Sequence, residues 1–550
     1  MGHIELNDEQ KDVVFADFDC SMMISAPPGA GKTTIMAKRI GFLINQGYIK
    51  YPYKILALTF SNAAANEMKK KISDEVNFSK SFFHITTFHG FCFNVLKAYG
   101  NCIGLQNNFK IYYFKHDKNT ILFHAFQHFN LNESERNLFF DWKFNYILKC
   151  KNNFNDKFLR VLNYYYSILI EKNLMDFEGL LIFTYKLFKN NDKILEYFRS
   201  PFKTILVDEF QDTNSLQFKI LDLLVNGNEK NNKKNIFIFT DPKQSIYGFQ
   251  GADFKNHDLA IKNFNCHSLK LHQCHRFENK AIEQLSKAIG KFIEENNNND
   301  LELNIDENLP KYFIFDNYQN ECDFIINEIN HFKNEGISYE NICVLAPTKR
   351  SLENLIQRME RLNFENFIFI SDYKDNWESQ ILRLNNLIDK RDLDKYSNLY
   401  SLLISNLNMY EYFKEILLKE SLKFDRKYSN LEIKDRLSSF INYMILNYDN
   451  FFKNNNFLKN KIFLSTIHGS KGLQFDVSFV CGLHNKSIPF YNVCQKNCYV
   501  STGALNGDSL KLLNVAVSRS KKYLYLSSIH NYFTHKTCIL KPFYNYLEII

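Results

Sequence analysis

Short apolar runs bounded by polar residues recur along the chain, and stretches of helical spacing separate them. Residues 22–24, 55–58, 204–207 and 236–239 have the length of buried strands. Between the first two, residues 35–44 place apolar side chains at helical spacing. From 91 to about 200 the pattern changes: Leu122, Ala125, Phe126 and Phe129 recur at helical spacing and strand signals nearly vanish. A second strand-rich set begins near Phe313 and includes 342–346, 462–465, 477–480 and 523–526, with polar-rich helical sequence at about 372–458. Buried strands alternating with helices predict α/β layers on parallel sheets. We therefore expect two α/β lobes, each interrupted by a mainly helical insertion. The first comprises residues 1–90 and 201–280 around an insertion at 91–200; the second comprises 281–371 and 459–550 around a shorter insertion at 372–458. The lobes are alike in pattern, with no residue-level repeat to link them.

Composition adds bounds. The 550 residues exceed one ordinary domain, and a hydrophobic fraction of 45% suffices for more than one core. The net charge of +8 permits a polyanionic partner without demonstrating one. Most of the 53 Phe and 31 Tyr fill cores, although exposed aromatics could stack on bases. The 12 Cys are scattered; Cys494 and Cys498 form the closest suggestive pair, no second pair completes a zinc-site spacing, and we expect reduced thiols in a cytoplasmic protein. The N-terminal M-G-H-I-E-L-N-D-E-Q lacks the basic segment and apolar core of a signal peptide, and no apolar run is long enough for a membrane. Asn/Lys-rich patches at 226–235, 294–300 and 453–460 read as surface loops. The runs K-R-D at 390–392 and K-F-D-R-K-Y at 423–428 read as solvated helix faces more than a large packed core.

Between the first strand and its helix lies S-A-P-P-G-A-G-K-T-T, residues 25–34. Gly29 and Gly31 let the backbone curl so that N–H groups point inward at an anion, and the helix from Lys32 adds its positive end. Lys32 can reach the terminal phosphates of a nucleotide, and the Thr33 hydroxyl can ligate Mg²⁺. Asp208 and Glu209 follow the strand at 204–207, and Asp241 follows the strand at 236–239. In parallel sheets ligands bind at the carboxyl ends of the strands, so these acids should share an edge with the loop. Asp208 suits Mg²⁺, and Glu209 can polarise an attacking water.

With these motifs in place the chain resembles a superfamily-one DNA helicase of the UvrD/Rep/PcrA type, and further motifs follow in the family's order. L-N-D-E-Q at 6–10 resembles the adenine-reading Q motif, which implies Gln10 on the base. A-P-P-G-A-G-K-T-T at 26–34 resembles the family's phosphate loop. That implies nucleotide contacts from Ala26, Pro27, Pro28, Gly29, Ala30, Gly31, Lys32, Thr33 and Thr34, with Arg39 one helix on. T-F-S-N-A-A-A-N-E-M from Thr59 and T-F-H at 87–89 resemble DNA-contacting motifs, which implies Phe60, Asn62, Thr87 and His89 on DNA. V-D-E-F-Q-D-T at 207–213 matches the acidic motif. T-D-P-K-Q-S-I-Y-G-F-Q-G-A from Thr240 implies Gln244 as a γ-phosphate sensor and Tyr247 and Phe249 against bases. L-H-Q-C-H-R at 271–276 implies Arg276 as one arginine finger, with His275 where a Tyr packs on adenine. T-I-H-G-S-K-G-L-Q-F at 466–475 implies His468 on DNA and Gln474 on nucleotide; N-V-A-V-S-R-S at 514–520 implies Arg519 as the second finger.

The resemblance implies two RecA-like parallel-sheet lobes with ATP and Mg²⁺ in the cleft. Lys32, Asp208, Glu209, Gln244, Arg276 and Arg519 would then be the catalytic set. The implied activity is an ATP-dependent 3′-to-5′ helicase or translocase on single-stranded DNA and on junctions with a 3′ single strand. The alternative is a DNA-binding ATPase subunit that gates or recruits a protein partner. Several positions depart from the family: Gln250 stands for Arg, Ala63 for Lys, Gln474 for Glu and His275 for Tyr. The first two remove positive charge where the family touches DNA, which lowers expected affinity and salt dependence. Asp176 and Glu178, in M-D-F-E-G-L-L, read at least as well as helix-capping acids. The short second insertion leads us to expect weak autoinhibition and poor unwinding without a partner.

Overall fold

Alternation within the apolar runs lets each strand bury both faces. In β1 (Met22–Ser25) and β2 (Lys54–Thr59), Met23, Leu56 and Leu58 face one core while Met22, Ile24, Ile55 and Ala57 face another. Strands buried on both faces need helices on both sides, which favours parallel pairing. After β3 (Phe83–Thr87) the chain leaves the sheet for a mainly helical excursion containing a two-strand pair, β4 (Lys110–Ile111) with β5 (Leu174–Met175). It returns through β6 (Phe202–Val207), β7 (Asn235–Thr240) and β8 (His267–Lys270), completing a parallel sheet of order β3-β2-β6-β7-β1-β8.

The second sheet follows the same plan with β9 (Lys311–Phe315), β10 (Ile342–Ala346), β11 (Phe367–Phe369), β12 (Ile462–Thr466), β13 (Phe475–Val480), β14 (Ser520–Ile529) and β15 (Glu548–Ile549). These are parallel in the order β11-β12-β10-β13-β14-β9-β15. Cys343 and Leu345 of β10 face one core, and Ile342, Val344 and Ala346 face the other. A second helical excursion lies between β11 and β12. This computed structural model describes the chain except residues 1–5, 76–79, 114, 152–154, 230–232, 254, 296–307, 389–392, 407–410, 449–450, 452–458, 484–506 and 530–539. The pair Cys494 and Cys498 and the run at 390–392 lie outside the described residues. Among those described, no helix is long and apolar enough to cross a membrane.

The second excursion corrects one expectation. Trp377, Ile381, Leu402, Leu417, Phe440 and Met444 are buried in a core continuous with Leu345 and Phe463 of the second sheet. Phe424, expected on a solvated face, is only 7% exposed. Its charged neighbours mislead because consecutive helical residues point to different sides: Lys423, Arg426 and Lys427 face solvent from the same helix, Glu411–Lys427. Asp425 accepts the Leu399 and Tyr400 N–H groups at 3.0 and 3.2 Å, capping the helix Leu399–Asn406. Arg436 donates to the same carboxylate at 3.1 Å.

The helix Ile433–Leu446 of this excursion packs on the first excursion. Asn442 Nδ2 donates to the Phe109 carbonyl at 2.7 Å, and its Oδ1 accepts the Ile111 N–H at 2.8 Å, all buried. Asn62, an expected DNA contact, donates to the Leu446 carbonyl. The expectation of solvated helix faces in place of a packed core therefore does not hold for this segment, although its short length, the other ground for weak autoinhibition, stands. Asn442→Leu should strand two buried backbone groups at a cost of about 1–3 kcal/mol each. The expected result is a lower unfolding midpoint and faster proteolysis of both excursions; an unchanged midpoint would show that the contact contributes nothing.

Candidate active site and nucleic-acid groove

The loop after β1 is shaped from outside. The Pro28 carbonyl accepts Cys274 Sγ at 2.7 Å, the Gly29 carbonyl accepts the His275 N–H at 3.0 Å, and the Ala30 carbonyl accepts Gln10 Nε2 at 3.2 Å. In a trans peptide the N–H opposes the C=O, so pulling the Pro28 and Ala30 carbonyls outward turns the Gly29 and Gly31 N–H groups inward. Both glycines have left-handed φ, +80° and +81°. At Gly29 a Cβ would also lie 2.4 Å from Arg276 Cβ. Gly31 caps the helix Lys32–Asn45, which carries Lys32 and Thr33 at its start. Lys32 Nζ donates back to the Ala26 carbonyl at 3.1 Å, and Thr34 Oγ1 accepts Lys71 Nζ at 3.4 Å.

Gln10 is held by a capping box with Asn7 at the start of the helix Asp8–Val14. Arg39 is not brought into the cleft. It is fully buried behind the loop, donating to the Val14, Ala16 and Asp17 carbonyls, and so fastens the end of the helix that carries Gln10. His275 and Gln474 are exposed.

Asp208 and Glu209 end β6 beside the loop. Burial pushes the Asp208 carboxyl up to about 7, with the neighbouring Glu209 charge adding to it. A divalent cation would restore its charged form. Burial also acts to raise Glu209, but Lys32 and Lys471 outweigh it and hold that carboxyl below its ordinary value. Glu209 adopts a left-handed backbone, φ 51° and ψ 41°, which costs a non-glycine residue roughly 1–3 kcal/mol. Gln211 Nε2 donates to Glu209 Oε2 at 2.5 Å, and its Oε1 accepts the Asp241 N–H at 2.9 Å. Asp241 in turn accepts Gln244 Nε2 at 2.9 Å. One side-chain amide thus joins the ends of β6 and β7.

Two guanidinium groups, Arg519 buried and Arg276 half-buried, close the cleft. Arg276 Nη1 donates to the Ser518 carbonyl at 3.0 Å, so it bridges the lobes. Arg519 donates to the Val515 and Leu473 carbonyls at 2.9 and 3.0 Å and to Gln244 Oε1 at 3.4 Å. Burial, then the nearby Arg276 charge, lowers Arg519 to about 9, which leaves it charged at neutral pH. Glu209 lies within the field of both guanidiniums and Asp241 within that of Arg276. Cations and carboxylates thus meet in one cleft, where the guanidiniums can receive a polyanion.

The aromatic residues expected on DNA gather beside this cleft. Phe60 stacks on Tyr247 at 4.9 Å and 23°, and Phe249, 61% exposed, meets His468 edge-on at 5.4 Å. Burial lowers the His468 imidazole, which favours its neutral form. His89 lies against Phe177 at 5.2 Å. Asp176 is a helix cap, accepting the Gly179 N–H at 2.7 Å and the Tyr165 hydroxyl at 3.0 Å, and Glu178 pairs with Lys143 at 2.6 Å.

The structure also reveals a correspondence that sequence inspection overlooks. I-T-T-F-H-G at 85–90 and L-S-T-I-H-G at 464–469 leave β3 and β12 in equivalent places, next to β2 and β10. Thr87 Oγ1 accepts the Gly90 N–H at 3.1 Å, and Thr466 Oγ1 accepts the Gly469 N–H at 3.3 Å. After β2 and β10, Ser61 and Thr348 make the matching turns, to Ala64 and Ser351 at 3.2 and 3.3 Å. Three more residues lie within the motifs without a role legible from sequence: Gln211, Asp212 and Lys471. Lys471 is the informative one, since a Lys two residues past a strand-end turn gives no hint that it is 8% exposed.

Two family models match the chain: the UvrD/REP helicase N-terminal domain over residues 6–265 and the UvrD-like helicase C-terminal domain over residues 369–531. A Mycoplasma capricolum protein named probable DNA helicase II homolog is 26% identical across 96% of this chain and 85% of its own length. A Mycoplasma genitalium protein of the same name is 25% identical across 95% and 85%. The ATP-dependent DNA helicase PcrA of Staphylococcus aureus is 26% identical across 62% of this chain and 48% of its own.

Proposed function

The chain belongs to the UvrD/Rep family of DNA helicases, and from that premise we propose that it hydrolyses ATP to move 3′-to-5′ along single-stranded DNA and to part the duplex ahead. One observation supports this above the rest. Gly29 of the phosphate loop packs directly on Arg276, which is hydrogen-bonded to the second lobe at Ser518, while Arg519 of that lobe reaches Gln244 of the first. A nucleotide on the loop would therefore meet cations from both lobes at once.

Each residue then has a task. The loop amides and Lys32 hold the phosphates, and Gln10 and His275 would contact the base. Thr33 and Asp208 would hold Mg²⁺, whose charge offsets that of the phosphates. Glu209 orients and deprotonates the attacking water. Arg276 and Arg519 stabilise charge on the γ-phosphoryl group as its bond to the leaving group lengthens. Phe60, Tyr247, Phe249 and His468 offer faces on which bases stack without strong sequence preference.

Strand displacement on 3′-tailed and 5′-tailed duplexes tests the proposal. Unwinding confined to the 3′-tailed substrate is expected. Unwinding of the 5′-tailed substrate alone would overturn the polarity, and robust DNA-stimulated ATPase without displacement would favour a gating or recruiting subunit.

The groove gives a separate prediction. Phe249→Ala should weaken single-strand binding by about 1–3 kcal/mol, because this exposed ring has little structural role to lose. Gln250→Arg should tighten binding and steepen its salt dependence by about one counter-ion. Equilibrium titrations across a salt series read both; unchanged affinity in both variants would place the DNA elsewhere.

A further inference from the structure

Lys471 rises from the second lobe, yet the partners described for its ammonium belong to the first. Its Nζ is 2.5 Å from Asp212 Oδ2 and 2.8 Å from the Gln244 carbonyl, and it stands 3.9 Å from Glu209 Oε2. The same ammonium lies 5.1 Å from the centroid of the Tyr247 ring. Tyr247 carries the Phe60 stack on the DNA side, and its hydroxyl donates to the His468 carbonyl at 3.4 Å. His468 opens the short turn His468–Ser470 that Lys471 terminates.

We propose that Lys471, paired with Asp212, is a positioning residue through which the DNA groove and the hydrolytic carboxylate Glu209 sense one another. The proposal rests on the helicase reading above. The route is short and physical. A base entering between Phe60 and Tyr247 must displace one ring. Tyr247 cannot shift without altering the cation–π contact and the tether to the turn that holds Lys471. Lys471 cannot shift without changing the charge beside Glu209. Its anchor, Asp212, is a buried carboxylate whose Oδ1 has no partner among the described residues, so Lys471 supplies the main compensation for that charge. The pair spans the lobes, and opening the cleft would separate it at high cost. An ion pair that forms only in one arrangement can bias a two-state element, and any such coupling acts in both directions.

That reciprocity supplies a test independent of turnover. Single-strand affinity is measured with and without a saturating non-hydrolysable ATP analogue for the wild-type chain, for Lys471→Met and for Lys471→Met with Asp212→Asn. The single variant leaves Asp212 buried and uncompensated and is at risk of misfolding; the double variant removes both charges and avoids that risk. In the wild type the analogue should change DNA affinity at least fivefold. In the double variant the change should fall to less than twofold, and the ratio of DNA-stimulated to DNA-free ATPase should fall at least tenfold. A purely structural role would lower the unfolding midpoint and both ATPase rates together, leaving the two ratios intact, and that result overturns the proposal. A wild-type chain whose DNA affinity ignores the analogue, with no DNA-stimulated ATPase, would instead bring down the helicase reading itself.

Discussion

Glu209→Gln is expected to slow DNA-stimulated ATP hydrolysis by about 10²–10⁴-fold while leaving ATP binding intact. The substitution keeps the side chain's size and one hydrogen-bond acceptor, so the contact with Gln211 survives in altered form. What it removes is the carboxylate proposed to take the water's proton. On the proposed mechanism this carboxylate, and not Asp208, is the base, and their surroundings differ. Lys32 and Lys471 hold Glu209 below its ordinary pKa despite burial, whereas burial and the Glu209 charge raise Asp208 to about 7. Adjacent acids in divided environments can take divided roles: the lowered pKa keeps Glu209 ionised and free to accept a proton, and Asp208 is left as a position that a cation would favour. Lys32→Ala should lose both hydrolysis and tight nucleotide binding, because it removes the charge that the loop directs at the phosphates. Fluorescent-nucleotide titration beside steady-state ATPase separates the two. Near-normal turnover by Glu209→Gln would reassign the base.

The parts of the fold that sequence made legible share a physical property: local patterning tied to local structure. The phosphate loop announces itself because a strand, two glycines of left-handed φ and a helix N-terminus lie within a dozen or so residues. Central strands such as β7 read as continuous apolar runs because both faces are buried. The edge strand β8 does not, since H-S-L-K is mostly exposed and is recruited by pairing with β1, far away in sequence. The second excursion was misread because its charged residues sit between buried ones along the chain while lying on a different face of the helix. Lys471 and Asp212 were invisible for a further reason. Their meaning comes from a contact across more than 250 intervening residues, and no periodicity encodes a partner at that separation. The paired turns at Thr87 and Thr466 were in principle readable, through the shared T-x-H-G, once strand ends are compared with one another.

Arg519→Ala carries the other large expected effect, a loss of about 10³–10⁵-fold in kcat, the scale for removing an arginine that stabilises a transferring phosphoryl group. Substrate binding should survive better than turnover. The loop, Lys32 and Gln10 all belong to the first lobe, and on the proposed mechanism they would hold the nucleotide whether or not the second lobe closes. Arg519 would instead act where charge builds up, in a site where burial magnifies its field. The residue also donates to the Val515 and Leu473 carbonyls, so the alanine variant loses packing along with charge. Arg519→Lys resolves that ambiguity. It retains a cation on a long apolar stem but cannot reproduce the guanidinium's fixed set of donors. If Arg519 works through the phosphoryl group, the lysine variant should keep a near-native unfolding midpoint and ATP affinity yet remain at least tenfold slow. Recovery of full turnover by lysine would show that any cation there suffices. A fall of less than tenfold in the alanine variant, with the fold intact, would mean that Arg276 alone serves the γ-phosphate and that Arg519 holds the lobes together.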